Sequence, residues 1–505
     1  MGARTGREFL KGLSKPREIW VGEDKVSEIA SHPAFAGAAQ TLAQIFDLQH
    51  QARDVCLMPD PETGEPINVS HLIPRSIDDL QRRHACLQKI AEYTVGLMGR
   101  TPDYMNVTFA GFAGRADEWA VNGNDRGAAN LVAYQKFLAR KDISLTHTIV
   151  HPTIDKAKGD VPEPGNQVAL HKVADTARGI VVRGARILAT LAPFADEIAV
   201  YPAMPLAEGT DEYALSFCIP TDTPGLKFLC RDSCSMAANT FDRPLSNRFD
   251  EQDAFVIFDD VEVPRDRVFI NANRVAYNTV MATGWYPNIM QQTMIRAQTK
   301  LEFAYGLANR MARAINDVSP ATNQMLGEIW TYAEFARAAI HSAELDAFEY
   351  GNGVWFPNGG PLAALRAALP TWFPRVSEII TLIGSHNLLA APTQAELADP
   401  KLRPLIEKYL HGAGDMGAEE RARIFRLAWD FVGSALAARN ELYERFYLAS
   451  GLRNYQLAQA LAPKERATRL VDEILDLQPR AEGDRTESQH KIMGLPKTAA
   501  AMRKQ

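Results

Sequence analysis

No stretch of the chain approaches the roughly 20 consecutive apolar residues of a membrane-spanning helix. Residues 1 to 30 are polar and mixed in charge, without the apolar core of a secretory leader. The expected location is cytoplasmic. Charge of one sign is also lacking: 55 Lys and Arg stand against 61 Asp and Glu, the formal charge is -6, and no basic stripe runs through the sequence. Nucleic acid and anionic membrane are therefore poor partners, and a small molecule or another protein fits better. Cysteine is scarce. Cys56, Cys86, Cys218, Cys230 and Cys234 are an odd number thinly spread over 505 residues, which is no disulfide framework. Only Cys230 and Cys234 are close, and with no second Cys or His cluster beside them no metal is expected. Internal repeats and low-complexity tracts are missing too.

What is present is an ordinary globular composition, 46% hydrophobic and 23% charged, in a chain long enough for two to four domains. Residues 1–142 read as an α domain, with helices over Ala34 to His50 and Ser76 to Met98, the latter started by Asp78 and Asp79. Polar, Pro- and Gly-containing loops interrupt them. From 143 to 272 the character turns to β. Gly179 to Thr190, Glu197 to Tyr201, Tyr213 to Pro220 and Ala254 to Phe258 are rich in β-branched and aromatic residues, with no helix between them, which predicts an antiparallel sheet or small barrel. Residues 273–478 return to the helical period. Gln291 to Asn316, Ala321 to Tyr350, Leu362 to Ile383 (kinked or split by Pro370 and Pro374) and a long unbroken Arg421 to Phe446 suit a four-helix bundle. Residues 479–505 read as a loosely held tail.

One stretch stands out for chemistry. The apolar run stops at Gly96-Leu97-Met98-Gly99, and Pro102 disfavours helical geometry at Thr101, so Arg100 and Tyr104 are expected on a loop. A guanidinium and a phenol delivered together can both bind an oxygen and favour its anionic form. The plainer alternative is a helix C-terminus where Arg100 caps carbonyls. His147 and His151 have the i, i+4 spacing of a helical metal pair, but Pro152 and the extended flanks argue against a helix there.

The order of α domain, β domain and helical bundle suits the acyl-CoA dehydrogenase type of flavoprotein. MGRTPDY at 98–104, THTIVHPTID at 146–155, GIVVRGARILAT at 179–190, RPLSNRFDEQDAFVIFDDVEVPRDRVFI at 243–270 and ELYERFY at 441–447 together resemble the oxygenase components of the 4-hydroxyphenylacetate 3-monooxygenase family. The resemblance implies a two-component system. A separate NAD(P)H-flavin reductase supplies reduced FAD, which reacts with molecular oxygen to a C4a-hydroperoxyflavin that hydroxylates a para-substituted phenol ortho to its hydroxyl, giving a catechol. It further implies a homotetramer. By the same resemblance Arg100, Tyr104 and His147 surround the phenolic oxygen. Thr153, Ile154, Asp155, Lys156, Thr190 and the loop Ser450, Gly451, Leu452, Arg453 contact the flavin.

Three rivals differ at named positions. The related 4-hydroxybutyryl-CoA dehydratases hold an iron-sulfur cluster on three cysteines and a histidine, and no cysteine lies near Gly96 to Tyr104. Chlorophenol and nitrophenol monooxygenases place a histidine where this chain has Met290, Gln291 and Gln292. A non-catalytic oligomeric relative is opposed by the intact Arg100, Tyr104 and His147. Finally, Ala203 and Met204 stand where the family's Ser-Thr pair holds a substrate carboxylate. Neither side chain can donate a hydrogen bond, so the expected substrate has a less acidic or larger apolar tail, unless a backbone amide nearby takes the carboxylate.

Overall fold

The computed structural model describes residues 2–475 apart from 156, 158–161, 236–238, 281–284 and 463. Lys156 and the expected tail lie outside the described residues. The N-terminal helices are Ala36–Gln51, Ile77–Tyr93, Pro102–Gly114 and Asp125–Lys141; the third is buried at every residue from Pro102 to Phe112 and packs against the fourth and against the long bundle helix Trp285–Ala314. Ile77–Tyr93 begins where Ser76 Oγ accepts the Asp79 N–H at 3.1 Å, with Asp78 and Asp79 facing the positive end of the helix dipole. It ends at Tyr93 and does not reach Met98, because the chain passes into left-handed geometry at Val95 and Gly96 (φ 46° and 68°).

Four short strands in this region escaped the sequence reading, of which Leu57–Pro59 and Pro66–Asn68 pair with each other. Glu18–Val21 and Asp24–Val26 form a hairpin that joins the middle sheet beside Leu226–Cys230. That sheet has six strands in the order Asp24–Val26, Glu18–Val21, Leu226–Cys230, Asp253–Pro264, Gly179–Thr190, His171–Asp175. A second sheet orders Val268–Asn271, Leu215–Pro220, Glu197–Val200 and Leu145–His147. Pairing is antiparallel except between Glu18–Val21 and Leu226–Cys230 and between Leu145–His147 and Glu197–Val200. The longest pair sets Thr190 opposite Asp253, with irregularities in register on the way at Ala254/Val256 and Phe258/Val261.

The bundle is led by Trp285–Ala314, whose stripe of Met294, Ala297, Leu301, Ala304, Ala308 and Met311 is fully buried. Pro320–Leu345 stops short of Tyr350, which belongs to a small hairpin of Phe348–Gly351 and Val354–Phe356. Gly359–Gly384 runs through Pro370 and Pro374 as one helix. The expected unbroken Arg421 to Phe446 is two helices, Ala418–Val432 and Ala435–Phe446. Gly433 lies so close to the Trp429 ring that a Cβ there would stand 2.5 Å from it, and Ser434 Oγ caps the second helix through the Ala437 N–H at 3.1 Å. Phe335 and Leu442, at helical spacing from buried apolar residues, nevertheless face outward at 58% and 62% exposure.

Candidate active site

Between Tyr93 and Pro102 the backbone is pressed against the bundle, and two glycines allow it. A Cβ on Gly96 would stand 2.4 Å from the Arg296 carbonyl oxygen, and one on Gly99 only 1.8 Å from the Tyr443 hydroxyl. Gly99→Ala is therefore expected to drive Tyr443 from its place, costing about 1–3 kcal/mol of overpacking. Chemical denaturation and a phenol titration check it, since affinity should fall along with stability.

Arg100 follows on this turn, but Tyr104 is not on a loop. Pro102 takes the first position of Pro102–Gly114, where a missing N–H and a fixed φ cost nothing, so Tyr104 sits in the first helical turn. The Arg100 guanidinium lies 4.1 Å from the centre of the Tyr104 ring and 4.3 Å from that of Tyr447, and its Nη1 donates to Tyr443 Oη at 2.9 Å. Burial disfavours its charge, yet the surrounding tyrosine oxygens more than compensate, and the group stays cationic. Among the described residues no carboxylate pairs with this guanidinium. Glu251 accepts the Arg100 backbone N–H at 2.6 Å through Oε1 and commits Oε2 to Arg439 at 3.0 Å.

His147 ends the strand Leu145–His147 with its ring stacked on Tyr104, centroids 5.4 Å apart, and tilted against Tyr201 at the same distance. Its Nδ1 is 3.2 Å from Met105 Sδ. Burial, and secondarily Arg100, hold its pKa well below the ordinary value, so the imidazole is neutral at pH 7. Tyr104 is pushed up to about 12 by burial, only partly countered by Arg100, and keeps its proton. Arg100, Tyr104 and His147 thus bring together a fixed cation, a phenolic donor and a neutral imidazole. His147 and His151 lie on extended chain, and no group of metal-ligating side chains occurs among the described residues.

Ala203 and Met204 are half-buried on the segment following Tyr201. Tyr277 hydrogen-bonds the Ala203 backbone, and Asn278 exchanges two 2.9 Å hydrogen bonds with the Leu206 backbone, so the helix Arg274–Val280 holds this segment in place. Thr190 is buried and donates to Asp253 Oδ1 at 2.7 Å. Thr153 is half-buried, while Ile154 and Asp155 are exposed. Ser450 to Arg453 is not a loop: Ser450 caps the helix Gly451–Leu461, whose first turn contains the other three. The sequence reading missed Tyr443, Tyr447, Glu251, Asp253 and Arg439. The i, i+4 tyrosines of ELYERFY and the acids of FDEQD were the available signals.

The surface beside Thr190 bears on whether a flavin fits. Val150, Ile154, Ile187 and Leu188 are 45%, 77%, 40% and 53% exposed, with Val150 bridged to Ile187. Buried Thr148 Oγ1 has no hydrogen-bond partner among the described residues. An apolar strip next to strand-end hydroxyls suits a planar ring with polar edges, and the helix N-terminus at Ser450 offers N–H groups to a phosphate. The residues present fit the group.

A middle β unit between two helical ones is the arrangement of an acyl-CoA dehydrogenase-like fold. Comparison with known proteins narrows this. Residues 5–270 match the 4-hydroxyphenylacetate 3-hydroxylase N-terminal family and residues 276–476 the C-terminal one. The chain belongs to the 4-hydroxyphenylacetate 3-hydroxylase family of aromatic monooxygenases. It is 38% identical to the 4-hydroxyphenylacetate 3-monooxygenase oxygenase component of Thermus thermophilus over 92% of this chain and 95% of the relative. It is 31% identical to the 4-nitrophenol 2-monooxygenase oxygenase component of a Rhodococcus species, covering 88% and 85%. A crystal structure of a 4-hydroxyphenylacetate 3-monooxygenase oxygenase component with FAD and 4-hydroxyphenylacetate superposes with a TM-score of 0.89 at 37% identity, over 94% of this chain and 98% of that one. An archaeal 4-hydroxybutyryl-CoA dehydratase, 18% identical with a TM-score of 0.87, shares the fold.

Proposed function

We propose that the protein is the oxygenase component of a two-component, FAD-dependent monooxygenase that converts a para-substituted phenol to a catechol. The observation that carries this is Arg100, a caged cation with no carboxylate on its guanidinium. A phenol has an ordinary pKa of about 10, and a cation at contact distance lowers such a value by roughly 1 to 3 units. Arg100 holds the phenolic oxygen as phenolate, Tyr104 Oη donates a hydrogen bond to it, and neutral His147 orients it without adding charge. The phenolate is richer in electrons at its ortho carbon, where hydroxylation occurs. Reduced FAD with molecular oxygen supplies the electrophilic oxygen atom, and Thr153, Ile154, Asp155, Thr190 and the Ser450 to Arg453 turn hold the cofactor, with Lys156 next in sequence. A flavin reductase delivers it. Exposed Phe335, Leu442, Phe446 and Tyr455 leave apolar faces on the bundle for other copies of the chain, in keeping with a homotetramer.

A nitrophenol or chlorophenol specificity is less well supported. Gln291 and Gln292, where those enzymes place a histidine, are buried and donate to Glu344 at 2.6 Å and Asp103 at 2.9 Å. Ala203 and Met204 set the tail: a carboxylate there would forgo donors worth roughly 1.5 to 3 kcal/mol each. A panel of phenols assayed with a generic flavin reductase and NADH tests both points. An uncharged para-substituted phenol should exceed 4-hydroxyphenylacetate in kcat/KM by about tenfold or more. If 4-hydroxyphenylacetate is best, the reading of the tail is wrong; if no phenol yields catechol, the function is.

A further inference from the structure

We propose that Arg439 is a positioning residue that ties the phenol cleft to the flavin-bearing strand, so that binding at one is felt at the other. The inference rests on the reading that Arg100 meets the phenol and Thr190 borders the flavin. Arg439 is on the helix Ala435–Phe446, with its side chain 9% exposed, and it grips two acids. Its Nη1 donates to Glu251 Oε2 at 3.0 Å, while Nε and Nη2 donate to the two oxygens of Asp253 at 2.9 and 2.7 Å. The far oxygen of Glu251 accepts the Arg100 backbone N–H at 2.6 Å, and Asp253 Oδ1 also accepts the Thr190 hydroxyl at 2.7 Å. A second route returns through the Tyr443 ring, 5.0 Å from the Arg439 guanidinium, whose hydroxyl accepts from Arg100 at 2.9 Å.

The hydrogen-bonded links through Glu251 and Asp253, at 2.6 to 3.0 Å, are charge-assisted and buried, which resists independent movement of their ends. Lysine cannot replace the fork, since an ammonium lacks the planar, bidentate geometry with which the guanidinium holds both carboxylates. Productive hydroxylation needs the reacting carbon and the oxygen donor within a narrow range of separation, and small misplacement is costly. Slack in this chain therefore appears as wasted turnover, with reduced flavin oxidised and peroxide released in place of catechol.

The test uses Arg439→Lys and, as a near-isosteric second break, Glu251→Gln, each checked for folding by circular dichroism. Under anaerobic conditions 4-methylphenol binding is titrated by equilibrium dialysis with and without saturating reduced FAD. In the wild type reduced FAD should tighten phenol binding by about fivefold or more, and in the folded variants by less than about twofold. Each ligand's own affinity should stay within about threefold of wild type, and the catechol formed per flavin oxidised should drop by about threefold or more. Unchanged linkage and unchanged catechol yield in either folded variant overturn the proposal. So does loss of both separate affinities with early melting, which marks a merely structural role. A wild type that makes no catechol and binds no reduced FAD overturns the underlying reading and this inference with it, whereas a coupled wild type with equally coupled variants overturns this inference alone.

Discussion

Arg100→Ala is expected to cut catechol formation by about a hundredfold or more while oxygen consumption continues and hydrogen peroxide accumulates. The size follows from the electrostatics of the cleft. With His147 held neutral by burial and Tyr104 retaining its proton, Arg100, against the Tyr104 ring, is the main charge that favours phenolate, and the field of Arg366 at Tyr104 is weaker. Arg100→Lys should rescue little, because its place is a slot between the Tyr104 and Tyr447 rings with Tyr443 Oη at its edge, which suits a planar guanidinium. Catechol and peroxide are measured together in one assay. Wild-type catechol yield in Arg100→Ala would remove Arg100 from the phenolic oxygen.

Glu444→Ala should cost about 3–5 kcal/mol of stability, the penalty for breaking a buried ion pair and stranding its partners. Glu444 accepts from Arg296 at 2.8 and 3.0 Å and from Lys300 at 2.9 Å, all three side chains lying at 6% exposure or less. Burial would raise its pKa, but the two cations prevail and lower it from 4.5 to about 2. A carboxylate whose folded pKa is depressed contributes stability that is complete above its unfolded value and fades as pH falls through the folded one. The wild type should therefore lose this contribution between pH 4.5 and about 2, and the variant should show a flatter acid limb in urea denaturation. Equal slopes in the two proteins would show that Glu444 is not the titrating group.

Much of this was readable before any coordinates because it rests on local rules. Gly96, Gly99 and Pro102 punctuate the chain so strongly that Arg100 could be placed on a turn, and the β-branched run Gly179 to Thr190 is a strand over that whole span. The errors share a cause. Tyr104 was put on a loop because Pro102 was weighed as a helix terminator, when proline suits a helix start equally well. The break at Gly433 was overlooked because the apolar period continues across it, and it depends on how Trp429 packs. Glu251, Asp253 and Arg439 escaped notice because nothing local ties residue 251 to 439; their meeting is a property of the fold.

The hairpin near the N-terminus has a consequence for how the protein is made. Glu18–Val21 finds its parallel partner, Leu226–Cys230, about two hundred residues later in the chain. A ribosome adding about 5–20 residues per second leaves the first strand waiting on the order of tens of seconds, with its hydrogen-bonding edge unmatched toward that side. The reverse holds for the later strand, which emerges with Asp253–Pro264 still to come on one flank and the hairpin already waiting on the other. This piece of the sheet can thus be completed only after about two hundred further residues have been made. An exposed strand edge is where a nascent chain pairs wrongly with a neighbour, and the shortness of this one, four residues, limits that hazard.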